Sequence, residues 1–184
     1  MSQTNKMQSQ KGFTLVEIAI VLVIIGLLLG GVLKGQELIQ NARIKATQSE
    51  VQQWGAAVAS YQERHENRLP GDDNTATTNA GNGNGQITGG ERTVVFQHLA
   101  LDGLIKGNYT GTNYPSNKWG GEVQILTNTP NGVFALAVCY TGLDQETATE
   151  LDTKMDDGNG ATGDVRRNNS AAYTATNNTV CFRM

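Results

Sequence analysis

One carboxylate stands where a carboxylate is expensive. Glu17 lies inside FTLVEIAIVLVIIGLLLGGVL, residues 13–33, a run with no other charged side chain. An acid at bilayer depth costs a few kcal/mol or more, and by default it marks a functional site with a partner to be named. The apolar run offers no cation, and the next one downstream is Lys34. Cleavage between Gly12 and Phe13 would create one, the new α-amino group of Phe13. Within one helix that amine lies about 6 Å along the axis from Glu17; in a neighbouring copy shifted along the axis it can meet Glu17 directly. Two charges in a low-dielectric bundle attract usefully only at close range, so such a pair would set the register between copies. A plain signal anchor that happens to carry one acid is the alternative.

The flanks bear on that choice. Residues 1–12 read MSQTNKMQSQKG, polar and basic, with Lys6 and Lys11 and no acid. Cations before an apolar run keep that end cytoplasmic and send the remainder outward. As a helix, residues 13–33 rise about 31 Å, roughly one bilayer core. A secretory signal would place a small-residue cleavage site after the apolar run. Here the run is followed by Lys34, Gly35, Gln36 and Glu37, and the small residue, Gly12, precedes it.

Lys11-Gly12-Phe13-Thr14-Leu15-Val16-Glu17 with the apolar run behind it closely resembles the signal of type IV prepilins and type II secretion pseudopilins. The resemblance covers about the first 35 residues. It implies a membrane peptidase that cuts after Gly12 and methylates Phe13, with Glu17 as the assembly glutamate. It further implies an inner-membrane precursor with a cytoplasmic N-terminus. An assembly ATPase and a platform protein then draw it into a filament of itself and other pilin-like subunits, as an extracellular pilus or a periplasmic pseudopilus. Many members carry a proline where this chain has Lys34; here Gly26, Gly30, Gly31 and Gly35 cluster instead. They suit either local unwinding or close helix packing.

The rest of the chain must supply a domain for this anchor. Four segments are expected: a leader, 1–12; a transmembrane and assembly helix, 13–35; an amphipathic helix, 36–67; and a globular head, 68–184. Ile44, Val51, Trp54, Val58 and Tyr61 recur at helical spacing, so one helix is predicted to run from residue 13 to about 66 and to bury that stripe. Leu69-Pro70-Gly71 breaks it. Residues 71–90 read as a surface loop and 91–105 as a short helix closed by Gly107. Residues 122–126 and 133–140 read as strands about a Pro130-Asn131-Gly132 turn, 143–155 as a helix and 179–183 as a final strand. The fold class is α+β and pilin-like: a long N-terminal helix, half transmembrane and half amphipathic, on a small antiparallel sheet.

Candidate chemistry in the head is sparse. Cys139 and Cys181 are the only cysteines, and an even pair in an exported domain suits a disulfide, two buried thiols being the alternative. Calcium takes six to eight oxygen ligands. Asp152, Asp156, Asp157, Asn159 and Asp164 could supply several, as could the weaker group Asp72, Asp73 and Asn74. Neither follows EF-hand spacing, and the same residues are ordinary turn formers; major pseudopilins are similar in using a C-terminal acidic loop for calcium. No G-x-S-x-G, P-loop or H-E-x-x-H motif occurs, so no catalysis and no other cofactor is expected. A formal net charge of −3 gives no support to nucleic-acid binding. The functions in play are therefore a type IV pilus subunit, a pseudopilin, and an exported enzyme or binding module on a signal anchor.

Overall fold

The computed structural model describes residues 12–129 and 132–184. The leader expected at 1–12, apart from Gly12, lies outside the described residues, as do Pro130 and Asn131 of the expected turn. The chain divides into two compact units, Met1–Ala42 and Arg43–Met184. Helix α1 (Leu15–Arg64) contributes to both.

Helix α1 starts on a reciprocal cap. The Thr14 hydroxyl accepts the Glu17 N–H at 3.2 Å, while a Glu17 carboxylate oxygen accepts the Thr14 N–H at 2.8 Å and its hydroxyl at 2.9 Å. This is a capping box, in which two amides that the first turn would orphan are satisfied by side chains. The helix ends where Glu66 and Asn67 turn left-handed, at φ 53° and 67°. The Asn67 N–H reaches back to the Gln62 carbonyl at 2.8 Å, a Schellman-type closure. Termination thus precedes the Leu69-Pro70 breaker by several residues.

In the second unit α1 buries Ile44, Thr47, Val51, Trp54, Val58 and Tyr61. Thr47 fills the gap in the expected apolar stripe, and its hydroxyl is satisfied by the Arg43 carbonyl at 3.0 Å. Helix α2 (Glu91–Leu101) stops earlier than expected. Gly103 adopts φ 70° and the Leu104 N–H bonds to the Leu99 carbonyl, so Gly103, not Gly107, closes the helix. Helix α3 (Gln145–Met155) is capped by Asp144, which accepts the Thr147 N–H at 2.7 Å.

Four antiparallel strands form an open sheet in the order β1-β2-β4-β3: β1 (Val123–Thr127), β2 (Leu136–Leu143), β3 (Val165–Arg167) and β4 (Asn178–Arg183). One face carries Val123, Ile125, Val138, Tyr140, Val180 and Phe182 into the main core with the α1 stripe, Phe96 and Leu99 of α2, and Leu151 of α3. Phe96 meets Trp54 edge-on at 5.4 Å. The other face carries a smaller cluster of Leu126, Phe134, Ala137 and the two cysteines. Cys139 and Cys181 are register partners on β2 and β4 and form a disulfide, with Cα atoms 4.0 Å apart. The three residues of β3 are too few and too basic to register as a strand in the sequence; they are held by pairing with β4.

Candidate functional site

In the first unit no residue of the apolar stretch is buried. Phe13 is 84% exposed and Leu15 91%. Leu22, Leu27, Leu29, Val32, Leu33, Leu38 and Ile39 are all exposed as well. The helix is long and apolar enough to cross a membrane. The one acid of residues 13–33, Glu17, is occupied by Thr14, as described above. Thr14 is absent from the expectations drawn from the sequence, yet the signal was there: Thr-x-x-Glu before an apolar run is the capping-box pattern. A Cβ placed on Gly12, Gly26, Gly30, Gly31 or Gly35 meets nothing within 4 Å. Among the described residues nothing therefore requires glycine at those five positions.

Residues 7–33 match the family described as the prokaryotic N-terminal methylation motif. The chain carries the prepilin-type cleavage and methylation motif. It spans Gly12, Phe13 and Glu17, the three residues singled out by charge and spacing. Comparison with curated proteins and with solved structures finds no match in either. The motif together with a long, partly apolar helix and a small antiparallel sheet matches a pilin-like α+β fold and supports a structural-subunit role. Among the described residues this is the one helix of membrane-spanning length and apolarity, and it is consistent with a precursor anchored in the inner membrane.

The acidic loop after α3 comes together only in part. Carboxylate oxygens of Asp152, Asp156 and Asp157 lie within 4.8 Å of one another, the one such group of potential metal ligands among the described residues. Asp152 is fully buried. It accepts the Tyr173 hydroxyl at 2.6 Å and the Gly158 N–H at 3.1 Å, yet burial outweighs those bonds and raises its pKa above the ordinary carboxylate value. Asp157 moves the other way, lowered chiefly by the Thr162 hydroxyl and by the Asn159 N–H. Asp156 accepts the N–H groups of Asp164 and Val165. Gly163, at φ 80°, leaves the space that this carboxylate fills, since a Cβ there would collide with it. Asp164 and Asn159 are engaged elsewhere: the Asp164 carboxylate pairs with Arg183 at 3.1 Å, and the Asn159 amide oxygen accepts the Ala161 N–H. The three clustered carboxylates offer three of the six to eight oxygens a calcium ion takes.

The Asp72-Asp73-Asn74 group does not converge. Asp72 accepts the N–H groups of Asn84 and Gly85. Asp73 is spent on Thr75 and Tyr61. The Asp72 carboxylate serves the loop's own fold, and that of Asp73 ties the loop to helix α1.

Proposed function

We propose that this protein is a subunit of a type IV pilus-like filament. Prepilin peptidase removes residues 1–12 and methylates Phe13, and protomers then associate through residues 13–35. One observation carries the reading: a helix surface of large apolar side chains, with a single acid near its start, has no covering among the described residues of its own chain. A bilayer covers it first. The inner-membrane platform protein and the assembly ATPase then transfer it to the matching helices of other subunits. Once the leader is gone, the Phe13 amine of one protomer and Glu17 of the next supply opposite charges in a dry bundle, where a close pair is favourable and a missed one is costly. Thr14 gives Glu17 an interim partner while that amine is out of reach. The open glycines suit close helix packing, in which small residues let backbones approach.

Mass spectrometry of the protein purified from its own cells provides the test. The expected mature chain starts at Phe13, carries one added methyl group and loses residues 1–12; an intact leader on filament-derived protein would overturn the reading. Glu17→Ala should leave cleavage and head stability unchanged while abolishing filament formation.

A periplasmic pseudopilus is the second reading, favoured by the acidic loop. Asp152, Asp156 and Asp157 would hold calcium, which would supply charge neutralisation for three crowded carboxylates. Titration calorimetry with calcium, alongside thermal melting, should give measurable heat and a rise in the melting temperature, and Asp156→Asn should abolish both. Long surface fibres in electron micrographs favour the pilus; short, cell-envelope-confined ones favour the pseudopilus.

A further inference from the structure

The second unit is electrically lopsided. Arg43, Lys45, Lys106 and Lys118, with the acids Glu50 and Glu122, carry +2; the other seven cations and thirteen acids of residues 43–184 carry −6. Packing gathers the first group. Arg43 stands over the Trp119 ring at 5.9 Å. Lys118, next to Trp119 in sequence, pairs with Glu50 of α1. Lys106 and Lys118 line a cleft together with Ala46, Ser49 and Glu50 of α1. Arg43 lies three residues before Ala46, and Lys45 four before Ser49, so both border that cleft. Glu122 belongs to the same loop, bridged to Ser116.

Three of these four cations have no acid of their own. Glu50 is taken by Lys118, and among the described residues Arg43, Lys45 and Lys106 form no ion pair. All three are exposed. Elsewhere in the unit Arg68 pairs with Glu66, Lys154 with Glu150 and Arg183 with Asp164. An anionic surface would attract the unpaired group and repel the acidic remainder, so this side alone can approach it. The neighbouring stretch of α1 supplies such a surface. Its exposed apolar side chains run from Phe13 to Ile39, interrupted around the Lys34–Glu37 ion pair. That is about 40 Å of helix against a bilayer core of about 30 Å. The excess is met by tilt or by resting one end among the headgroups, and interfacial Trp, Lys and Arg side chains decide which. Arg43 follows Ile39 by about 6 Å along the axis.

We propose that the side of the second unit bearing Arg43, Lys45, Lys106 and Trp119 docks on anionic lipid headgroups while the subunit waits in the membrane. The three cations meet lipid phosphates, Trp119 lies at headgroup level, and α1 tilts toward them. The acidic remainder then faces water. Stored subunits are thereby held in one orientation, and these contacts must break when a subunit leaves the bilayer. The proposal rests on α1 crossing a bilayer before assembly, and it names what the unit meets on the exported side.

The test places the full chain in bilayer nanodiscs of phosphatidylcholine, with or without a phosphatidylglycerol fraction, and reads the relaxation of backbone amides by paramagnetic lipids. A label on the lipid tail reports spanning. Residues 20–33 should relax in both lipids, and failure there would overturn the membrane reading along with the proposal. A label on the headgroup reports docking. Amides of residues 43–46 and 117–120 should relax more strongly in the anionic discs, and added salt should shrink the difference. A cation near an anionic surface is worth about fivefold in occupancy. Lys45→Gln with Lys106→Gln, both at exposed positions, should therefore lower the ratio of docked to undocked protein by about 25-fold. Lys154→Gln on α3 should change it by less than about twofold. With spanning intact, equal relaxation in the two lipids, an undiminished difference in the double variant, or as large a loss in Lys154→Gln would each overturn the proposal.

Discussion

Helix α1 passes from a stretch that buries none of its apolar side chains to one that buries a full apolar stripe. In the first unit Leu15, Leu22, Val23, Leu27 and Leu33 are each at least 62% exposed; in the second, Ile44, Val58 and Tyr61 are at most 2% exposed. The residue types are alike. What differs is the cover that the described residues supply: strands β1 to β4 with α2 and α3 for the second unit, and nothing for the first. Burial of apolar surface stabilises by about 25 cal/mol per Å² wherever it occurs, so the first unit's share must be collected from a bilayer or from other chains. The contrast predicts that the two regions respond differently to the same kind of substitution.

The largest effect should come from the core. Phe96 is fully buried and touches Trp54, Tyr109 and Tyr114. Phe96→Ala should destabilise the second unit by about 3–5 kcal/mol, read as a lower urea midpoint in Trp fluorescence. Leu22→Ala, which removes a comparably apolar side chain from the exposed stretch, should leave that midpoint where it is. Equal losses from both would erase the distinction between the regions.

A smaller effect separates them by pH. The Asp73 carboxyl is held below its ordinary value in the folded protein. A depressed folded pKa stabilises above the unfolded carboxylate value of about 3.9 and loses that contribution as pH falls through the folded value. The second unit should therefore lose stability on acidification below about pH 4. Asp73→Asn should flatten that loss and cost about 1–3 kcal/mol at neutral pH, measured by urea denaturation across the range. The exposed apolar stretch should show no matching transition.

How much of this was legible in advance follows the same division. In the first unit the functional pattern is local: a basic leader, Gly12, Phe13, Glu17 and an apolar run can be read one after another, because the chemistry lies along a single helix. In the second unit the long helix, α3, and strands β1, β2 and β4 were readable from periodicity, to within a few residues. Strand β3 was not, since three residues carry no period. Helix α2 ran short because Asp102-Gly103 offered a left-handed closure that the apolar pattern concealed. The acidic loop shows the limit most plainly. Five oxygen-bearing residues looked equivalent in sequence, but Arg183 on β4 engages Asp164 and a local turn engages Asn159, leaving three together. A long-range partner decided the first and a local turn the second, and spacing encodes neither.

Thr14→Ala should produce a local effect confined to the first unit. It removes the hydroxyl that accepts the Glu17 N–H, and loss of an N-cap costs about 1 kcal/mol. In micelles the amides of residues 15–18 should exchange several-fold faster, while the urea midpoint of the second unit stays unchanged. Its sharper use is in the precursor, where Thr14 is Glu17's partner. If the Phe13 amine replaces Thr14 after cleavage, the substitution should perturb the uncleaved chain more than the mature filament.

Gly30→Ala is expected to have the smallest effect on the isolated chain, and its sign reverses on assembly. A Cβ there meets nothing within 4 Å, and alanine in place of a mid-helix glycine favours the helix by up to about 1 kcal/mol. Circular dichroism of the micellar protein should therefore show equal or slightly greater helicity. In a filament the added methyl group would stand between packed helices or stiffen a segment that must yield, and in either case filament yield should fall although the subunit is, by itself, more stable. If fibres form as readily with alanine at both Gly30 and Gly31, glycine there answers no need of the assembled state, and the exposed helix must find its cover in some looser arrangement than close packing between copies.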